Sequence, residues 1–161
     1  MLGKHPLLEG RSIEASRLAA GFPLDAGAAL VVEFDGIEAG LDREAALARD
    51  ACARAGATEI REAASAQERE ALWRGRKKAF GAMGRIAPDV FVQDAVVPRS
   101  RLPATLARIY EIAARYELRM CNMFHAGDGN LHPTIVFDRR DAAQVHRVEQ
   151  ASGEMMRACV E

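Results

Sequence analysis

Cysteine is scarce in this sequence and shows no pairing pattern. Three cysteines, Cys52, Cys121 and Cys159, are spread through 161 residues, and no two of them form a CxxC motif. Small domains that depend on disulfides carry a dense and usually even set of cysteines, and thiolate zinc sites need closely spaced pairs. The pattern argues against both kinds of site, and it predicts a reduced, cytoplasmic protein.

Long apolar runs and an excess of charge of one sign are also missing. No stretch approaches the roughly 20 apolar residues of a membrane-spanning helix, and the first residues lack the compact apolar core of a signal peptide. Lysine and arginine total 22 against 23 acidic residues, so the net charge is −1. Only Trp73 accompanies the basic run Arg74–Lys78, which leaves no row of aromatic rings for nucleic-acid bases. We expect no membrane span and no nucleic-acid partner.

The first part of the chain contains two short apolar runs around one amphipathic stretch. Ala28–Phe34 and Thr58–Ala63 have the composition of strands. Between them, Asp42 can cap a helix that Gly56 ends. Before them, Ser12 can cap a short helix. The sequence therefore predicts a β-α-β order here.

The middle of the chain predicts a helix, a strand and a second helix. Ser65 and Glu68 fit a capping box, which predicts a helix that runs to about Phe80. Phe91–Val97 is a third strand. Ser100 is expected to cap a helix whose apolar residues recur every three or four positions.

The end of the chain predicts a hairpin followed by a helix. Residues 118–124 and 134–137 alternate between apolar and other residues, as strands do, and Asp138 or Asp141 is expected to begin the last helix. Runs of this kind predict one α+β domain, residues 1–161, with a ferredoxin-like antiparallel sheet and helices packed on one face.

The loop between the two hairpin strands carries His125 and His132. Gly127 and Gly129 allow the positive φ that a tight loop needs. If the two histidines pair across the hairpin, their Cβ atoms lie roughly 5 Å apart on one face. Such a pair could hold a divalent metal or act in acid–base chemistry.

A plainer interpretation of this loop stays open. Zinc sites usually use three or four protein ligands, so two histidines near a turn are often surface residues. Asp128 and Asn130 can be turn formers only. Pro133 cannot donate to a ladder, which predicts a bulge or an edge at that position.

Taken as a whole, His125–Pro133 and the strand after it resemble a motif of FAD-linked oxidase C-terminal domains. Three further blocks occur in the same order, Leu30–Gly36, Trp73–Phe80 and Gly84–Asp89, so the resemblance extends from about Ile13 to the end. It is strongest to the glycolate oxidase catalytic subunit, with D-lactate and D-2-hydroxyglutarate dehydrogenases as relatives. The resemblance implies a domain that recognises substrate in enzymes that oxidise a D-2-hydroxy acid to a 2-oxo acid and pass a hydride to FAD.

The resemblance also implies roles for four residues. His125 and His132 match the two histidines that bind a divalent metal, such as zinc or manganese, in related dehydrogenases. Arg76 matches an arginine that grips the substrate carboxylate, a task for which a planar guanidinium is suited. Asn130 is expected to orient the substrate site, although a pure turn role fits it equally well.

The sequence departs from the family pattern in two ways. Val92 stands where a relative that acts on 2-hydroxyglutarate has a lysine, which favours a monocarboxylate such as glycolate or D-lactate. The sequence contains neither the family's Glu-His-Gly segment, with its third metal ligand and its base, nor a segment that would cradle FAD. We therefore expect a fragment without the N-terminal FAD-binding domain, with weak metal binding and no activity by itself. The alternative is a free-standing α+β module that binds anions.

Overall fold

The computed structural model describes residues 27–161, so the helix predicted at Ser12 lies outside the described residues. The described chain contains four α-helices, five short strands and two 3₁₀ turns. In chain order these are α1 (Glu38–Arg54), α2 (Ala66–Ala82), a 3₁₀ turn (Met83–Arg85), β1 (Asp89–Val92), β2 (Ala95–Val96), a second 3₁₀ turn (Arg99–Arg101), α3 (Leu102–Arg115), β3 (Arg119–Asn122), β4 (Asn130–Leu131), β5 (Pro133–Phe137) and α4 (Ala142–Val160).

The five strands form two small antiparallel sheets that share one register. One sheet has the order β1-β5-β3 and the other pairs β2 with β4. Val92 lies opposite Thr134, and three residues further along each strand Ala95 lies opposite Leu131. The two sheets are therefore one surface with a break, and the predicted strand Phe91–Val97 is present but interrupted.

Pro133 accounts for the break. The backbone N–H of Gln93 donates to the Pro133 carbonyl at 3.0 Å, but proline has no N–H with which to return the bond. The prediction of a bulge or an edge at Pro133 is wrong, because Pro133 lies in the central strand β5 and the register is the same on either side of it. The proline interrupts the ladder instead.

Two helices, α3 and α4, cover one face of the sheet. Ile109 and Ile112 from α3, Met155 from α4 and Ile135 from β5 are each no more than 1% exposed. The amphipathic patterns of the two helices supply this core, because each helix presents an apolar stripe to the sheet. The α+β class with an antiparallel sheet is confirmed.

The opposite sheet face is covered at one end by the turn after α2. Met83 packs with Cys121 and Val136, and all three side chains are buried. The Cys121 thiol donates to the Met83 Sδ at 3.2 Å. Burial raises the pKa of the Cys121 thiol to about 11, so this cysteine stays protonated and unreactive at neutral pH.

The two strands predicted near the start are not strands in the described chain. Ala28–Phe34 and Thr58–Ala63 contain no strand and pair with no strand of the described residues. Leu30, Val32 and Ile60 are 66%, 49% and 41% exposed. A segment of alternating apolar and polar residues forms a strand only when a neighbouring strand pairs with its backbone and one of its faces is buried. The predicted β-α-β order is therefore wrong here.

Helix boundaries follow the capping chemistry in two of four cases. Ser65 caps α2 by accepting from the Glu68 N–H at 3.2 Å, as predicted. Asp141, not Asp138, caps α4. The predictions for Asp42 and Ser100 are wrong: α1 already begins at Glu38, and Ser100 lies in a 3₁₀ turn before α3 without a capping bond.

Two carboxylates join segments that are distant in sequence. Asp89 accepts from the backbone N–H of Arg139 at 2.9 Å and from its guanidinium, and these bonds hold the pKa of Asp89 below its ordinary value. Glu154 of α4 accepts from the Tyr116 hydroxyl at 2.5 Å and from Arg115 at 2.7 Å. The tyrosine bond, followed by Arg115, holds the pKa of Glu154 below its ordinary value.

These two carboxylates predict a loss of stability in acid. A carboxyl group whose pKa is lowered in the folded state stabilises the fold at a pH above its ordinary pKa, which is 3.8 for Asp89 and 4.5 for Glu154. This stabilisation is lost as the pH falls through the lowered pKa of the folded state. We expect the urea midpoint to fall as the pH is lowered from 5 to 3, and Asp89→Asn to flatten that fall. A midpoint that does not change over this range would contradict the prediction.

Candidate functional site

The hairpin pairing continues past the regular strand β3 to His125. His125 and Asn130 exchange two backbone hydrogen bonds, of 3.1 and 3.3 Å, around a four-residue loop. Within this loop Gly129 has a φ of +74°, as predicted, whereas Gly127 is not among the glycines of positive φ in residues 27–161. The expectation for Gly127 is therefore wrong.

The loop is fixed against the start of the next segment by a close backbone contact. The Val97 N–H donates to the Gly129 carbonyl at 2.9 Å. A Cβ atom added at Gly129 would lie 2.1 Å from the Val97 carbonyl oxygen. Only glycine fits this approach.

The two histidines lie on one face of the hairpin. Their ring centroids are 5.9 Å apart and the ring planes meet at 85°. The prediction that they face each other is confirmed, but they are diagonal neighbours, because the residue opposite His125 is Asn130. The register puts both histidines on the sheet face that also carries Cys121 and Val136. The histidines lie at one end of that face, and Cys121 and Val136 lie toward the other end.

A third titratable side chain, Asp94, lies beside His132. One step from the pair Ala95–Leu131, the register puts Asp94 opposite His132. The Asp94 Oδ1 is 3.6 Å from the His132 Nδ1. Sequence reasoning missed Asp94, although alternation within Phe91–Val97 already put it on one side of the strand together with Val92.

Near the break, the buried Asn130 Oδ1 and the buried Gln93 Oε1 have no hydrogen-bond partner among the described residues. Gln93 is held from its other end, since its Nε2 donates to the Ser152 Oγ of α4 at 2.6 Å. A buried acceptor without a partner is costly, and such atoms are expected where a ligand or water binds. Asn130 shares the face of the histidines, which fits an orienting role.

Arg76 lies on the helix that leads to this face. It is half-buried in α2, and Met83, directly after α2, packs on the same sheet face as the histidines. Arg76 makes no hydrogen bond or ion pair within residues 27–161, so none joins it to the histidine pair and its guanidinium donors are unused among these residues.

The described residues supply only part of a ligand set for a metal at this site. Two imidazoles face each other, but among residues 27–161 no group of three or more His, Cys, Asp or Glu side chains is placed to hold an ion. Two neutral nitrogens fit part of a zinc-type site, which normally has three or four protein ligands.

In the part of the chain that the structure describes, no helix combines the length and the apolar character needed to span a membrane.

Comparison with known proteins agrees with the motif resemblance. Residues 5–161 match the family described as FAD linked oxidases, C-terminal domain. The chain is 41% identical over 157 residues to the glycolate oxidase subunit GlcD of Escherichia coli strain K12, and 36% identical over 141 residues to GlcD of Bacillus subtilis strain 168. It is 27% identical over 156 residues to a mitochondrial D-lactate dehydrogenase (cytochrome) of Arabidopsis thaliana.

The chain is much shorter than these relatives. The alignments cover 96%, 88% and 96% of this chain but only 32%, 30% and 28% of the three relatives. The chain thus spans about a third of the length of the curated relatives that it matches.

Proposed function

This chain belongs to the family of FAD-linked oxidase C-terminal domains, and on that premise we propose that it is the substrate-binding cap domain of an FAD-dependent dehydrogenase. The substrate is a D-2-hydroxy acid, glycolate or D-lactate, which is oxidised to the 2-oxo acid. The observation that carries the proposal is the placement of His125 and His132 on one sheet face, 5.9 Å apart. Relatives named as glycolate oxidase subunits and D-lactate dehydrogenases support the substrate class.

Arg76 is the proposed carboxylate ligand. A guanidinium can donate two parallel hydrogen bonds to a carboxylate, and Arg76 has no competing ion pair within residues 27–161. Val92 supports a small monocarboxylate, because it lies on the histidine face, 40% exposed, and offers no charge for a second carboxylate. Asn130 would orient the substrate with its buried Oδ1.

His125 and His132 are the proposed ligands of a divalent ion such as zinc or manganese. When bound, the ion would polarise the 2-hydroxyl and lower its pKa. The two imidazoles supply part of the required set, so the proposal includes weak binding by this chain alone.

We propose FAD as the cofactor because the chain belongs to a family of FAD-linked oxidases. We propose that a separate FAD-binding domain makes most of the contacts with the cofactor. The relatives are about three times as long as this chain, which leaves room for such a domain. A cytoplasmic location is part of the same proposal, supported by three cysteines that are all free thiols.

A domain exchange tests the function. In the glycolate oxidase subunit GlcD of Escherichia coli, the matching region is replaced by residues 5–161 of this chain, and FAD content and glycolate- or D-lactate-dependent dye reduction are measured. The proposal expects reduction that His125→Ala abolishes. An exchanged protein that folds and holds FAD, yet oxidises neither acid, would overturn the proposal.

Arg76→Lys is expected to weaken catalysis in the exchanged protein. Lysine keeps the charge but loses the two-pronged grip. We expect a loss of about 1–3 kcal/mol in transition-state binding, roughly 5- to 150-fold in kcat/KM, the scale of a charged hydrogen bond. Arg74→Lys is the matched control, because Arg74 is exposed on the same helix and pairs only with Glu70 at 3.9 Å among the described residues. Equal kinetics for both variants would remove the role of Arg76.

The purified 161-residue chain is expected to show no turnover. The sequence contains neither the Glu-His-Gly segment, which carries the base and a metal ligand in the family, nor a segment that would cradle FAD. Positioning, base and metal are each worth orders of magnitude. The assay contains added FAD, zinc or manganese, glycolate or D-lactate, and an artificial electron acceptor. Substrate-dependent dye reduction above background would contradict this expectation. Tight binding of glycolate without chemistry, together with an inactive exchanged protein, would favour a free-standing anion-binding module.

A further inference from the structure

Asp94 is a titratable side chain beside the site to which the proposed function assigns no role. It lies directly opposite His132 in the antiparallel register, and its Oδ1 faces the His132 Nδ1 at 3.6 Å. That distance exceeds a hydrogen bond by a few tenths of an ångström. The side chain of Asp94 is 70% exposed, so it can rotate without displacing packed neighbours.

The chemistry of the two groups fixes which ring nitrogen carries the proton. A neutral imidazole has one N–H and one lone pair, and an ionised carboxylate only accepts. With a carboxylate at Nδ1, the favourable arrangement has the proton on Nδ1 and the lone pair on Nε2. Histidines that bind metals usually donate their other ring N–H to a carboxylate, carbonyl or water in this way.

We infer that Asp94 is a positioning residue that holds His132 as the Nδ1–H tautomer and so presents its Nε2 lone pair to the site. The inference rests on the proposed function, because that function is what the His132 Nε2 lone pair would serve. It goes beyond that function by assigning a role to a residue of the neighbouring strand. The presented nitrogen binds an ion or accepts a proton.

A purely structural role for Asp94 has little support. An ion pair with one partner this exposed contributes between nothing and about 1 kcal/mol. Asp94 caps no helix, and within residues 27–161 its only polar contact is with His132. Removal of its carboxylate should therefore leave folding unchanged and alter only the imidazole.

The first test reads the tautomer directly by ¹⁵N NMR of the imidazole rings in the metal-free chain. It is performed in mildly alkaline solution, in which a free imidazole is neutral. In the wild type, the His132 Nδ1 should be protonated and the His132 Nε2 should be unprotonated. Asp94→Ala should shift His132 toward the Nε2–H form, and Asp94→Asn, which keeps an acceptor oxygen, should restore part of the wild-type state. Asp128→Ala, an exposed loop aspartate, is the control and should change nothing.

The second test measures affinity for Zn²⁺ and Co²⁺ by calorimetry and by the Co²⁺ visible spectrum. Loss of an outer partner of a metal ligand typically costs 10- to 100-fold in affinity, and an exposed partner should fall near the low end, about 10-fold. A wild-type His132 with its proton on Nε2, or a tautomer that Asp94→Ala leaves unchanged, overturns the inference. A chain with the expected tautomer that binds no metal keeps the inference and removes the metal from the proposed function.

Discussion

Gly129→Ala is expected to disrupt the hairpin that carries the histidines. The alanine Cβ would lie 2.1 Å from the Val97 carbonyl oxygen, a backbone atom that can move only if the hydrogen bond between Val97 and Gly129 breaks. The positive φ of Gly129 adds strain for any L-residue. We expect a loss on the order of 4 kcal/mol in the free energy of unfolding, at the upper end for single substitutions, measured by urea denaturation.

Gly127→Ala is the matched control for this substitution. Gly127 lies two residues earlier in the same loop, and an added Cβ would have no atom within 4 Å. We expect a change within about 0.5 kcal/mol, as for surface positions. Similar losses for the two variants would show that the contact between Gly129 and Val97 does not fix the loop.

Ile135→Ala is expected to have the second large effect. Ile135 is 0% exposed, and it lies in the middle of the central strand β5, opposite Phe91 on one side and Met120 on the other. Truncation removes buried methyl groups and leaves a cavity that the flanking strands cannot close. Substitutions of this kind cost about 2–5 kcal/mol, and Ile135→Val should cost about 0.5–1.5 kcal/mol. The free energy of unfolding from urea titrations measures both losses.

Val96→Ala serves as the surface comparison for Ile135. Val96 is also in a strand but is 69% exposed, so its truncation removes little buried area. We expect a loss below about 0.5 kcal/mol. A loss for Ile135→Ala no larger than that for Val96→Ala would mean that the sheet has no packed interior.

Local signals predicted most of the elements that follow Ser65, although not the cap at Ser100. The capping box at Ser65, the amphipathic pattern of α3 and the alternation on both sides of the histidine loop each depend on residues close in sequence. The strands at Ala28–Phe34 and Thr58–Ala63 failed because alternation specifies a strand only when another strand pairs with it. Within the described residues no such partner is in place.

The sequence predicted which histidines lie together at the site, but it did not predict which residues pair across the hairpin. The sequence indicated that His125 and His132 share a face, yet it could not show that the loop closes at Asn130 and makes the pair diagonal. Loop closure depends on the contact of Gly129 with Val97, a residue far away in sequence. The position of Asp94 beside the site was not predicted for the same reason, because its neighbour His132 lies on another strand.

The missing N–H of Pro133 leaves the sheet with unequal hydrogen bonding at its two ends. On one side, β5 is bonded to strands on both edges and lies under α3 and α4, so we expect its amides to be the better protected against exchange. On the other side, β2 and β4 pair over two residues each and the His125 bridge is isolated, so we expect faster amide exchange there. We expect the histidine end to be the less protected end of the sheet, although the contact of Gly129 with Val97 holds its loop in place.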